Sequence, residues 1–171
     1  TNLVSNTGVV ATDTSGVGTA RYYLSATEYG TDKGIFGYGG PSYVSMTNLV
    51  SNTGVVGTDV SGVGTGRVTL AAAAYGTDKG IFGFGSTGSY TGVTNLISNT
   101  GVVATDVSAV GTARSELAAT QYGVDKAIFA YGDTGSKTSI SNLVSNTGVV
   151  ATDVSGVGTA KDQVAACSYS G

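Results

Sequence analysis

The sequence predicts an all-β fold of tandem repeats, and three observations carry that prediction. First, a block of about 47 residues is written almost four times. The string Thr-Asn-Leu-Val-Ser-Asn-Thr-Gly-Val-Val opens at Thr1 and returns unchanged at Thr47, with one Val→Ile change at Thr94 and with Ser for the first Thr at Ser141. A period of this length marks stacked or radially arranged units, each too small to bury a core alone. Second, each block holds four short β-forming runs separated by glycine-bearing turns. Third, nothing in the block suits a helix. The Ala-rich run 70–74 is too short between Gly66 and Gly76 to be stable as one.

The second copy shows the elements in order. Thr47-Asn48-Leu49-Val50-Ser51 alternates loosely, and Asn52-Thr53-Gly54 supplies a turn signal. Val55-Val56-Gly57-Thr58 reads as a short strand, closed by 59–64. Residues 67–75 form a run of small and apolar residues ending at Gly76. Asp78-Lys79 is a polar tip, and Gly80-Ile81-Phe82-Gly83-Phe84-Gly85 is an apolar strand punctuated by glycine. The run ending at Tyr75 and the run starting at Gly80 flank a tight connection, a hairpin signature. The period divides the chain into repeats 1–46, 47–93 and 94–140, with a shortened fourth, 141–171.

Four strands in 40 to 50 residues is the arithmetic of a β-propeller blade. The expected fold class is therefore all-β, with tandem four-stranded, β-propeller-like blades. The alternative is a β-solenoid, which would need two coils per period, and the block has no half-period copy. The order Arg, a small-residue strand, then Tyr-Gly-x-Asp-Lys-x-Ile-Phe-x-Tyr/Phe-Gly resembles kelch-type repeats, over 21–40, 67–85 and 114–132. Only Gly39-Gly40 keeps the doubled glycine of that pattern, and its Trp is missing throughout. The chain is also similar to Gly/Thr-rich tandem repeats of phage virion and other extracellular proteins. That resemblance implies a virion-surface or extracellular location and a structural or adhesive task.

Composition narrows the function. With 8 basic and 11 acidic residues and a net charge of −3, the chain has no basic footprint for nucleic acid. No apolar run approaches the roughly 20 residues of a membrane span. Histidine is absent, which removes imidazole bases and His-containing triads. Cys167, the single cysteine, aligns with Thr27, Ala73 and Thr120 and is expected as a small buried side chain. The recurrent Asp-x-Ser-Gly has too few carboxylates for a calcium loop and reads as an Asx-type turn. Gly83-Phe84-Gly85-Ser86-Thr87-Gly88 matches G-x-G-x-x-G, but no helix follows to supply a phosphate-binding dipole. No metal or cofactor is expected, and no enzymatic activity. Without an Asn-x-Ser/Thr sequon, N-linked sugar is not expected either.

Most charges follow the period. Asp13, Asp59, Asp106 and Asp153 form one class, and Arg21, Arg67, Arg114 and Lys161 another. Identical charges in every copy point to structure, such as an Arg pairing with an Asp of its own or the next blade, since catalysis needs unlike groups in unlike roles. The copies differ at one pair of positions: Tyr22-Tyr23, Val68-Thr69, Ser115-Glu116 and Asp162-Gln163. They differ again in the loops 40–46, 86–93 and 133–140, which hold Tyr43, Tyr90 and Lys137. Such variation reads as solvent exposure or as a diversified binding face, where Tyr, Ser and Gly are efficient contact residues. Tyr22, Tyr23, Tyr43, Tyr90 and Lys137 are the candidate binding residues.

The fourth copy stops short of its Asp-Lys-x-Ile-Phe strand, so an open sheet edge that seeks partners is expected there. The expected partner is another copy of the chain or a longer parent polypeptide, and the working state is expected not to be a free monomer. The leading functional expectation is a non-enzymatic structural, assembly or adhesion module. The alternative is a lectin-type propeller binding cell-surface glycan, with one shallow site per blade.

Overall fold

The computed structural model describes residues 1–168, which contain nine strands and no helix. The strands form three antiparallel three-stranded sheets, and among the described residues these do not close into a barrel. Sheet 1 holds β1 (Ser25–Tyr29), β2 (Lys33–Gly37) and β3 (Thr47–Val50). Sheet 2 holds β4 (Ala71–Tyr75), β5 (Lys79–Gly83) and β6 (Thr94–Ile97), and sheet 3 holds β7 (Ala118–Tyr122), β8 (Lys126–Ala130) and β9 (Ser141–Val144).

Within each sheet the first two strands form the expected hairpin. Tyr29 pairs with Lys33 across Gly30, Thr31 and Asp32. Gly30 and Thr31 both have positive φ, at 59° and 69°, as do Gly76 and Thr77 in the second hairpin, at 61° and 71°, so the turn takes the left-handed conformation that matches strand twist. The third strand comes from the start of the following copy. Each sheet therefore straddles a repeat boundary: β1 and β2 lie in residues 1–46 and β3 lies beyond it.

The second run of each block, 55–58 in the second copy, is not a regular strand, which corrects the four-stranded expectation. It touches the third strand only through isolated bridges, Val50 to Val56 and Thr47 to Val60 in the first sheet. Three steps on β3 face four on this segment, so one residue is extra and the ladder bulges. The turn before it is held by Ser51, whose Oγ accepts from the Thr53 and Val55 amides at 3.3 and 3.1 Å.

The sheets pack face to face, with β1 against β4 and β4 against β7. Alternation along a strand sends neighbouring residues to opposite faces. In sheet 2, Phe82 and Ile97 join Tyr29, Ile35 and Tyr38 in one core, while Ala73, Ile81 and Phe84 join Ala127 and Phe129 in another. This two-sided burial explains why β5 is apolar rather than alternating. Glycine makes the close approach possible. A methyl on Gly37 would lie 2.6 Å from the Phe82 ring, and one on Gly83 would lie 2.7 Å from the Phe129 ring. Tyr38 and Phe82 meet edge to face at 5.1 Å, as Phe84 and Phe129 do at 5.2 Å.

Cys167 is exposed, contrary to the expected burial. Its counterpart Ala73 sits in strand β4, covered by the next sheet, whereas no strand is assigned around Cys167 among the described residues.

Candidate functional site

The periodic polar residues tie each copy to the next. The Thr65 amide and hydroxyl donate to the Asp106 carboxylate, the hydroxyl at 2.6 Å. Asn95 Nδ2 donates to the same carboxylate at 2.9 Å, and Arg67 Nη2 donates to Asn95 Oδ1 at 2.8 Å. Arg67 also reaches the Phe84 and Thr65 carbonyls, at 2.9 and 3.0 Å. Its guanidinium lies 4.2 Å from the centre of the Tyr38 ring in the preceding copy. The Thr–Asp–Asn part recurs as Thr19–Asp59–Asn48 and Thr112–Asp153–Asn142.

Arg21 donates to the Met46 carbonyl at 2.5 Å and to Asn48 Oδ1. Arg114 stacks 4.1 Å from the centre of the Phe84 ring, and burial pushes its pKa down to about 10. Asp13, in the first copy, accepts from Asn2 at 2.8 Å, and Lys161 is an exposed side chain. The direct Arg–Asp pair expected from the sequence is not formed among the described residues, where every ion pair uses a lysine. For Arg21 and Arg67 asparagine stands between the two charges, whereas Arg114 donates to the Tyr131, Thr112 and Phe129 carbonyls; a guanidinium with fixed N–H directions is satisfied by such acceptors and by an aromatic face.

The variable residues gather elsewhere, around one cleft of about 410 Å³. Tyr23, Thr69, Glu116 and Gln163, the second member of the variable pair in all four copies, line it together. Leu24, Leu70, Leu117 and Val164, the next residue of each copy, supply its apolar lining. The convergence is set by a backbone ladder. Thr69 N–H donates to the Tyr23 carbonyl at 3.0 Å, Glu116 N–H to Thr69 at 3.0 Å, and Gln163 N–H to Glu116 at 2.9 Å. All four residues hold positive φ, at 53°, 51°, 55° and 50°. Gln163 Nε2 also donates to the Glu116 carboxylate at 3.2 Å.

The other candidate residues occupy successive links between loops. Tyr22 packs edge to face on Tyr23 with centroids 5.0 Å apart. The Tyr43 hydroxyl approaches Gly88 of the second variable loop, and the Tyr90 hydroxyl donates to Asp133 of the third. Lys137 pairs with Asp162 at 2.8 Å, and that bond raises its pKa, with Asp133 and Glu116 adding to the shift. Asp133 likewise raises the Tyr90 pKa through their hydrogen bond. Of the charges outside the repeat pattern, Glu116, Asp133, Lys137 and Asp162 thus cluster, and Glu28 alone is absent from these contacts.

Sequence reasoning named Tyr22 and Tyr23 but not Thr69, Glu116 and Gln163. The signal was present, since all of them share one alignment column. It also missed Asn48, Asn95 and Asn142, which recur once per period; the first two bridge Arg to Asp, and of these charges Asn142 reaches Asp153 alone. Among the described residues, no group of three or more His, Cys, Asp or Glu side chains is placed to hold a metal. No helix among them is long and apolar enough to cross a membrane. No protein-family model matches the chain, and no curated protein matches it.

Proposed function

We propose that this chain is a non-enzymatic structural module of a virion surface or extracellular fibre, serving assembly or adhesion through kelch-like, propeller-type blades. The observation that carries this reading is a division of labour within the repeat. The residues that do not change hold one copy to the next, as in the Thr65–Asp106–Asn95–Arg67 network. The residues that change collect in one cleft and its neighbouring loops. A propeller-type arrangement is supported by that cleft, because the inner segments of all four copies contribute to it. A second cleft, of about 260 Å³, draws on the same four segments, including Ala26, Ala73, Thr120 and Ala166.

Among the described residues, two apolar surfaces at the outer sheets are incompletely covered. Phe36 occupies the place of Phe82 and Phe129, which insert against a preceding sheet, yet it is only half-buried. On the far side, Ile128, Ala130 and Tyr131 line a groove of about 230 Å³ that Val164, Ala165 and Ala166 of the fourth copy cover only in part. Covering such apolar surface is the driving force for association. Light scattering combined with electron microscopy tests the proposal. Rings, spikes or fibres of more than one chain are expected, and a compact monomer at micromolar concentration, with featureless images, would refute it.

A further inference from the structure

We propose that the cleft bounded by Tyr23, Thr69, Glu116 and Gln163 binds one neutral pyranose unit of a glycan. This is a single composite site rather than one site per copy, and it is independent of the assembly role above.

The repeat itself isolates these positions. On one side stands Arg or Lys in every copy, two residues back, and on the other Leu or Val. Between them, Tyr-Tyr, Val-Thr, Ser-Glu and Asp-Gln share nothing. A purely supporting role would call for the same side chain four times, as the flanking positions receive. The backbone at this point is also under the same constraint in all copies. A non-glycine residue with φ near 50° is strained, and Thr, being β-branched, is an unusual occupant. The inter-copy amide ladder holds all four there, which places four unlike side chains around one opening.

Their chemistry suits a sugar. A pyranose presents an apolar C–H face and a rim of hydroxyls that both donate and accept. Tyr23 is 63% exposed and is braced by Tyr22, so an open aromatic face is available without rearrangement. Glu116 accepts, the Thr69 hydroxyl, which donates to the Val68 carbonyl at 2.7 Å, accepts, and the Gln163 amide keeps its oxygen and one N–H beside its bond to Glu116. The leucine lining gives the C–H face an apolar counterpart, and the volume lies within the range of small-molecule sites. Charge selects against anions. Glu116 lines the cleft, and the nearby Lys137 is already paired with Asp162.

Saturation-transfer NMR on the full chain tests this with methyl glycosides of glucose, galactose, mannose and N-acetylglucosamine, with sialic acid and choline as charged controls. Transfer to the ring protons of at least one neutral glycoside is expected. Tyr23→Ala is expected to weaken binding at least tenfold and Glu116→Gln severalfold, with Lys33→Ala, at a remote hairpin tip, unchanged. Circular dichroism of each variant separates lost binding from lost fold. Should Tyr23→Ala unfold the chain, Glu116→Gln decides. Absence of transfer from every neutral glycoside overturns the proposal. So does binding of only a charged control, or unaltered affinity in folded variants.

Discussion

Gly83 offers the sharpest test of how the sheets interlock. A Cβ added there would stand 2.7, 3.0 and 3.2 Å from three carbons of the Phe129 ring. Ordinary carbon contacts lie near 3.5–4.0 Å, so ring or strand would have to move by roughly 1 Å. The ring is fully buried and packs edge to face on Phe84, leaving little room to yield. Gly83→Ala should therefore destabilise by about 1–3 kcal/mol, the usual cost of overpacking. Phe129→Ala should cost about 3–5 kcal/mol through lost contact and the cavity left behind. In the double variant the new methyl enters vacated volume, so the combined loss should fall short of the sum by about 1–2 kcal/mol. Ala130, the equivalent residue in sheet 3, lines an open groove, so Ala130→Gly should cost about 0.5–1 kcal/mol through backbone entropy alone. Urea unfolding followed by circular dichroism measures all four. A wild-type midpoint for Gly83→Ala, or strictly additive losses, would refute the phenyl-into-glycine packing.

Acid should loosen the inter-copy network. Burial tends to raise the Asp106 pKa, but hydrogen bonds from Thr65 and Asn95 outweigh it and leave the carboxyl below its ordinary value. A group depressed in the fold stabilises above its unfolded pKa, and that stability is lost as pH falls through the folded value. The urea midpoint should thus drop below pH of about 4, and Asp106→Asn should flatten the drop; an unchanged acid profile in that variant would contradict the assignment. Arg67→Lys should cost about 1.5–3 kcal/mol, because an ammonium cannot reproduce the three directed bonds and the stack on Tyr38. Lys161→Arg, at an exposed side chain, should stay within about 0.5 kcal/mol of wild type in the same urea titration.

The hairpins were legible because Tyr-Gly-Thr-Asp-Lys carries its own turn chemistry and β4 could not be a helix between two glycines. The irregular outer segment was not, since Val55-Val56-Gly57-Thr58 has strand composition and its one-residue mismatch emerges only against β3. A repeat length also says nothing about where a sheet begins, so the pairing of β2 with a strand of the next copy lay outside its reach. The cleft was half legible. Its residues share an alignment column, yet their meeting depends on the amide ladder from Tyr23 to Gln163, which no local pattern encodes. The role of Asn95 was hidden for a related reason, because its partners Arg67 and Asp106 lie far apart in sequence.

Because Thr65 of one copy grips Asp106 of the following one, and the same grip recurs at Thr19–Asp59 and Thr112–Asp153, neighbouring sheets cannot open independently. Sheet 2 is clasped from both sides, whereas sheets 1 and 3 are each clasped by one described neighbour. Amide protons of β5 should consequently exchange with solvent last, and opening should travel from the outer layers toward the middle one.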